Sequence, residues 1–240
     1  MFDSINLTSF LFLDIETVPL VYKFGDLDEK QKDLFSKKVR YRINDENPVE
    51  DLYQQAGIWA EFGKIICISV GYFVFVGKKR TFRLKSFSGD DETQILSDFS
   101  ELLNTHFNKA AHLLCAHNGK EFDFPFIARR LLINKLPLPK KLNLFGKKPW
   151  EIPHLDTLEL WKFGDYKHYT SLKLLTHILG ISSPKDDIDG SQVAAVYYQE
   201  KDIERIVNYC QKDTLAVAQV LLRLRNEDLL KGNEVTIITD

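Results

Sequence analysis

The sequence predicts an α/β sandwich built on a mixed β-sheet. Three observations carry that expectation. β-rich apolar runs come first, and two of them flank a Gly77-Lys78-Lys79 turn, which makes at least one pair an antiparallel hairpin. Helical patterns then alternate with two short apolar strands, which makes the sheet mixed and puts helices against it. The 240 residues are 44% hydrophobic, enough for one large core, and no repeat or linker composition divides them.

The first strand runs through 9–17 and ends near Glu16. Residues 18–60 are polar, charged and helix-prone; Asn47 is expected as an N-cap, with Pro48 at the first helical position and Glu50 closing a capping box. Lys37, Lys38, Arg40 and Arg42 upstream read as a solvated basic face. Residues 65–76 form a near-continuous β-rich run, a strand buried on both faces, and 80–87 complete the hairpin. Asp90 or Asp91 opens a helix to about 107, carried by Ile95, Leu96, Phe99, Leu102 and Leu103. A short buried strand at 111–116 precedes a helix over 124–134. Residues 136–149, rich in Pro and Lys, are a loop, and 152–156 are another strand. Helices follow at 171–179, 191–198 and 201–225, and residues 235–238 are an extra strand or part of a loose tail.

Composition narrows the function classes. The formal net charge of -2 supplies no global positive field, so phosphates would be bound by local basic patches or by metal ions held on acids. Cys67, Cys115 and Cys210 lack metal-ligand spacing and indicate a reducing compartment. The first apolar run is broken by Asp14, and nothing approaches the roughly 20 apolar residues of a membrane span. A cytoplasmic protein without membrane attachment is expected.

The acids carry the chemistry. Strand side chains alternate faces, so Phe10, Phe12, Asp14 and Glu16 share one side of the first strand, with no Lys or Arg in the run. Two crowded carboxylates resist ionisation unless a cation relieves them or solvent reaches them. Asp123, in Asn118-Gly119-Lys120-Glu121-Phe122-Asp123, is open to two compatible roles: a helix N-cap, or an acid facing a cleft. On the last long helix the apolar stripe runs through Ile206, Val207, Cys210, Thr214, Val217 and Leu221. Asp213 falls on its flank with Tyr209 four residues before it, so that carboxylate faces protein and needs a partner. Asp156 is expected to cap the helix after the fifth strand, and Asp186 and Asp187 belong to a solvated loop, with Asp189 left open.

Asp14-x-Glu16, Asn118-x-x-x-Phe122-Asp123 and Tyr209-x-x-x-Asp213 together resemble the DEDD superfamily of 3′–5′ exonucleases, in its tyrosine-bearing DEDDy branch. Glu61-Phe62-Gly63-Lys64-Ile65, His154-Leu155-Asp156-Thr157, Leu160-Trp161-Lys162-Phe163-Gly164 and the acidic 185–190 segment look like stand-alone exonucleases related to the proofreading domain of family B DNA polymerases. The resemblance spans about residues 10–224. It implies a ribonuclease-H-like three-layer sandwich with a five-stranded mixed sheet, one 3′–5′ exonuclease domain over 1–240, a helical insertion at about 18–60 and a possible loose tail at about 226–240. It implies two Mg²⁺ (or Mn²⁺) ions. Asp14 would bridge them, Glu16 and Asp213 would complete one site, Asp123 would serve the other, and Tyr209 would orient water. The implied substrate is a single-stranded nucleic acid with a free 3′ end, DNA ahead of RNA, cleaved to nucleoside 5′-monophosphates. Thr17, Asn118, Phe122 and Lys185 are its candidate contacts, with Phe122 or Phe124 stacking on the terminal base. Lys78, Lys79, Arg80, Lys140, Lys141, Lys147 and Lys148 are candidates for the phosphates. The alternatives are an exoribonuclease of the same fold and a non-catalytic nucleic-acid-binding module; protein partners are unknown.

Overall fold

A computed structural model describes residues 4–165, 167–182 and 188–238. Its centre is a six-stranded mixed sheet in the order β5-β4-β1-β2-β3-β6. β1 (Phe10–Pro19) pairs antiparallel with β2 (Gly63–Val76), which pairs antiparallel with β3 (Lys79–Ser88) across the expected hairpin. β4 (Leu113–Ala116) runs parallel to β1, and the two-residue β5 (Leu155–Asp156) runs parallel to β4. The ribonuclease-H-like class holds, but the expected five strands are six. Of the two readings of the last residues, Val235–Ile237 form a strand, β6, because its backbone pairs with the open edge of β3.

The side-chain period of β1 separates two cores. Leu11, Leu13 and Ile15 pack with Ile95, Leu96 and Phe99 of α3 (Glu92–Thr105) and Phe124 and Ile127 of α4 (Asp123–Ile133). Phe10 and Phe12 face the opposite layer, with Val217, Leu221 and Leu222 of α8 (Ile203–Leu224). Asp14 and Glu16 continue the α8 side of β1, as strand alternation requires.

The polar 18–60 segment hides a small core of its own. α1 (Glu29–Val39) starts at an Asp28 capping box and α2 (Val49–Tyr53) follows. Phe35 lies at the middle of an aromatic cluster, 5.0 Å from the Tyr53 ring and 5.2 Å from that of Phe62. The expected Asn47 cap is not formed. Pro48 occupies the N-cap position without a side-chain bond, because Asn47 is held in an upstream turn where Asn44 accepts its backbone N–H at 2.8 Å.

One other expectation shifts. Residues 191–198 are not one regular helix: α7 (Val193–Ala195) passes into a π turn over Val196–Glu200. The Tyr198 hydroxyl there donates to the Pro19 carbonyl at 2.6 Å, tying the turn to the end of β1. α5 (Thr157–Lys162) and α6 (Leu172–Ile178) complete the helices, capped by Asp156 and Ser171. No helix among the described residues is long and apolar enough to cross a membrane.

Candidate active site

The site forms where β1 outruns its parallel neighbour. β4 pairs with β1 only over Phe10–Phe12, so the following backbone of β1 has a free edge. Asp123, the first residue of α4, reaches that edge and accepts from the Ile15 N–H, between Asp14 and Glu16. This is the carboxyl end of two parallel strands, where α/β sheets place their ligands. A β-bulge lies beside it: Glu16 pairs with Cys67 and Thr17 with Ile65, leaving Ile66 as the extra residue on β2. Bulges of this kind re-aim side chains at functional sites.

Burial first, and neighbouring negative charge second, raise the acids. Burial pushes the Asp14 carboxyl well up, and the charges of Glu16, Asp213 and Asp123 push it further; a hydrogen bond from Cys210 opposes them. Glu16, 7% exposed, is raised by burial and then by Asp213, Cys67 and Asp123. Asp123, 3% exposed, is raised to about 8, chiefly by burial, although its own N–H and that of Ile15 lower it. Among the described residues, no positively charged side chain contributes to the shift of any of these three. Asp123 does not cap α4, whose N-cap position is Phe122 with no side-chain bond, so the capping role proposed for this acid is not seen.

From the other side, α8 presents Tyr209, Cys210 and Asp213. Burial first, then the charges of Asp213, Glu16 and Asp14 and a hydrogen bond to Asp213, push the Tyr209 phenol far up, so it keeps its proton at neutral pH. Sequence reasoning placed Cys210 in the apolar stripe and missed its second role. Its Sγ donates to the Asp14 carbonyl at 3.3 Å and to Asp14 Oδ2 at 3.4 Å. The one available signal was its position between Tyr209 and Asp213 on the stripe that faces β1.

A cleft of about 500 Å³ opens beside the cluster, lined by Glu16 and Thr17 of β1, Asp51 and Gln55 of the insertion, Phe122 and Ser191. Thr17 and Phe122, expected as substrate contacts, therefore border it, but the Thr17 hydroxyl already donates to the Gly57 carbonyl at 2.8 Å. Asn118 adopts φ +61°, and its N–H donates to Asp156 Oδ1 at 2.9 Å. Asp156 also takes the Lys120 N–H and caps α5. It holds the turn that delivers Asp123. Asp189 is spent on Ser191, whose N–H and hydroxyl it accepts. Lys185, Asp186 and Asp187 lie outside the described residues. Two basic candidates have other work: Arg80 binds Glu234 and two carbonyls, and Lys141 donates to the carbonyls of Lys109 and His112. Phe124 is fully buried in the core, which removes it as a stacking partner. A second groove of about 350 Å³, along α4 and the 138–147 loop, has no acid among the described residues that line it.

The donor set fits hard divalent cations. Where no Lys or Arg among the described residues neutralises them, buried carboxylates need a positive charge, and oxygen ligands suit Mg²⁺. Asp14, Glu16 and Cys210 each offer a ligand atom within 4.8 Å of the others.

None of the curated proteins compared matches the sequence. Among solved structures, the chain is similar to the family B DNA polymerase from the hyperthermophilic archaeon Pyrobaculum calidifontis, with a TM-score of 0.55 and 15% identity. The match covers 89% of this chain and 24% of the polymerase, so the chain spans about a quarter of that protein's length. The fold thus agrees with the resemblance carried by the motifs. A family model described as RNase_H superfamily (RNase_H_2) matches residues 55–225, and with most of the chain inside that match the protein belongs to the RNase_H superfamily.

Proposed function

We propose that this protein is a metal-dependent 3′–5′ exonuclease that hydrolyses single-stranded nucleic acid, DNA ahead of RNA, and releases nucleoside 5′-monophosphates. The observation that carries this reading is the convergence of Asp14, Glu16 and Asp123 at one end of β1, with Asp123 bonded to the Ile15 N–H between the other two and no cationic side chain among the described residues contributing to their shifts, beside a phenol hydrogen-bonded to Asp213. Asp14, Glu16, Asp123 and Asp213 would hold two divalent cations, which when bound supply charge stabilisation at the phosphoryl oxygens and acidify a water.

The chain's own residues do the rest. Tyr209 keeps its proton, so its hydroxyl positions a water rather than removing a proton from it. The hydrogen bond to Asp213 fixes the direction in which that phenol points. Phe122, half-buried at the cleft and 5.4 Å from the Phe126 ring, offers an aromatic face to a terminal base. Asp51, Gln54, Gln55, Gly57 and Ile58 of the 18–60 insertion line the cleft together with Phe122. We take the chain as one exonuclease domain that includes this insertion.

The test uses matched DNA and RNA oligonucleotides blocked at either end, with Mg²⁺, Mn²⁺ or chelator. We expect stepwise shortening from a free 3′ end, only with metal, and its loss in Asp14→Ala. Digestion of a circular single strand, or digestion unaffected by Asp14→Ala, would overturn the assignment.

A further inference from the structure

We propose that Asp14, Glu16 and Cys210 form a thiol-containing site for a thiophilic divalent cation of the Zn²⁺ class, and that this ion inhibits turnover by taking Asp14 from the catalytic ions. The inhibition rests on the exonuclease reading; the ion site rests on geometry alone.

Distance supports a shared ion. A sulfur and an oxygen bound to one tetrahedral ion at about 2.3 and 2.0 Å sit about 3.5 Å apart. Cys210 Sγ and Asp14 Oδ2 are 3.4 Å apart. A Glu16 oxygen completes a trio whose ligand atoms all lie within 4.8 Å of one another.

Glu16 adds a second, independent observation. It is 7% exposed and has no hydrogen-bond or ion-pair partner among the described residues. A buried carboxylate without a donor is unfavourable until a cation reaches it. Its aim into the Asp14–Cys210 corner places that need at the trio.

Ligand chemistry then decides which ion. Mg²⁺ takes oxygen ligands and gains little from sulfur, whereas thiolate favours Zn²⁺, and affinity for such sites rises from Co²⁺ to Zn²⁺. On binding, the Sγ–H bond breaks, the Sγ–metal bond forms and the proton leaves to solvent. Asp14 cannot then serve the pair of ions that catalysis needs.

The test titrates Co²⁺, a visible stand-in for Zn²⁺, into the metal-free full-length protein. We expect a sulfur-to-cobalt charge-transfer band that Zn²⁺ abolishes by displacement. Cys210→Ser and Cys210→Ala, checked for folding by circular dichroism, should lose the band and bind Co²⁺ about tenfold or more weakly. Cys67→Ser should keep it, although that thiol contacts Cys210. Co²⁺ binding without the band, or a band that survives both Cys210 variants, would overturn the site. In parallel, Zn²⁺ should suppress Mg²⁺-dependent digestion by the wild-type protein. Zinc-resistant digestion with the band present would overturn the inhibition, whereas a band without any digestion would support the ion site and remove the exonuclease reading.

Discussion

Arg130 on α4 and Glu92 at the start of α3 form a buried, two-pronged ion pair, with Nε to Oε1 at 2.8 Å and Nη2 to Oε2 at 2.5 Å. Glu92 also accepts the Ile65 N–H at 2.7 Å, and Arg130 donates to the Ala60 carbonyl at 2.9 Å. One pair thus locks α4, α3, the start of β2 and the end of the insertion. It fixes the helix whose first residue is Asp123. Arg130→Met leaves Glu92 buried and unpaired, and we expect a loss of about 3–5 kcal/mol in urea unfolding. Combining it with Glu92→Gln should recover a large part of that loss.

The acid cluster works against the metal-free fold. Asp14 has a folded-state pKa above its ordinary value of 3.8, so the folded state is favoured while the carboxyl keeps its proton. That advantage is lost as pH rises from about 4 through the folded pKa. In chelator at neutral pH, Asp14→Asn should therefore melt higher than wild type, by about 2–4 °C for each kcal/mol relieved. Mg²⁺ should raise the melting temperature of wild type much more than that of the variant. An Asp14→Asn variant that melts lower in chelator would refute the charge argument.

His154 acts in the opposite direction. It is 3% exposed, accepts the Leu114 N–H on Nδ1 at 3.2 Å and donates from Nε2 to the Lys141 carbonyl at 2.8 Å. Burial lowers its pKa from 6.5 to about 4. The unfolded chain takes the proton first, so the stability that neutral His154 gives is complete above about pH 6.5. It is lost as pH falls toward 4, amounting to about 3 kcal/mol. NMR titration should find its ring neutral down to about pH 4; an ordinary imidazole titration near 6.5 would contradict this.

Phe122 should act on substrate affinity. Aromatic stacking on a base contributes about 1–3 kcal/mol. We expect Phe122→Ala to raise KM for a short oligonucleotide by about fivefold or more, with a smaller change in kcat. A kcat loss at constant KM would place Phe122 in support of Asp123 instead.

Much of this was legible in the sequence because its periodicities are strict. The alternation of Phe10, Phe12, Asp14 and Glu16 and the α8 stripe through Cys210 and Val217 follow from backbone geometry alone, and the structure repeats them. What could not be read depended on contacts across the fold. Phe24, Phe35, Tyr53 and Trp59 are too scattered among charges to show period, yet they converge in one aromatic cluster. β6 is three residues long, too short for alternation, and exists because β3 offers an edge. Arg80 and Lys141 looked available for phosphates because sequence does not reveal the carbonyls that bind them. Cys210 looked like a plain core residue because an apolar stripe does not show which backbone it meets.

The most direct measurement is anomalous scattering from a crystal of the protein grown with Mn²⁺ and a short oligonucleotide. We expect two Mn²⁺ peaks about 3.5–4 Å apart, contacting Asp14, Glu16, Asp123 and Asp213, with the 3′-terminal phosphate between them and Tyr209. Mn²⁺ bound elsewhere, or Asp123 or Asp213 turned out of reach of an ion held by Asp14, would contradict the account.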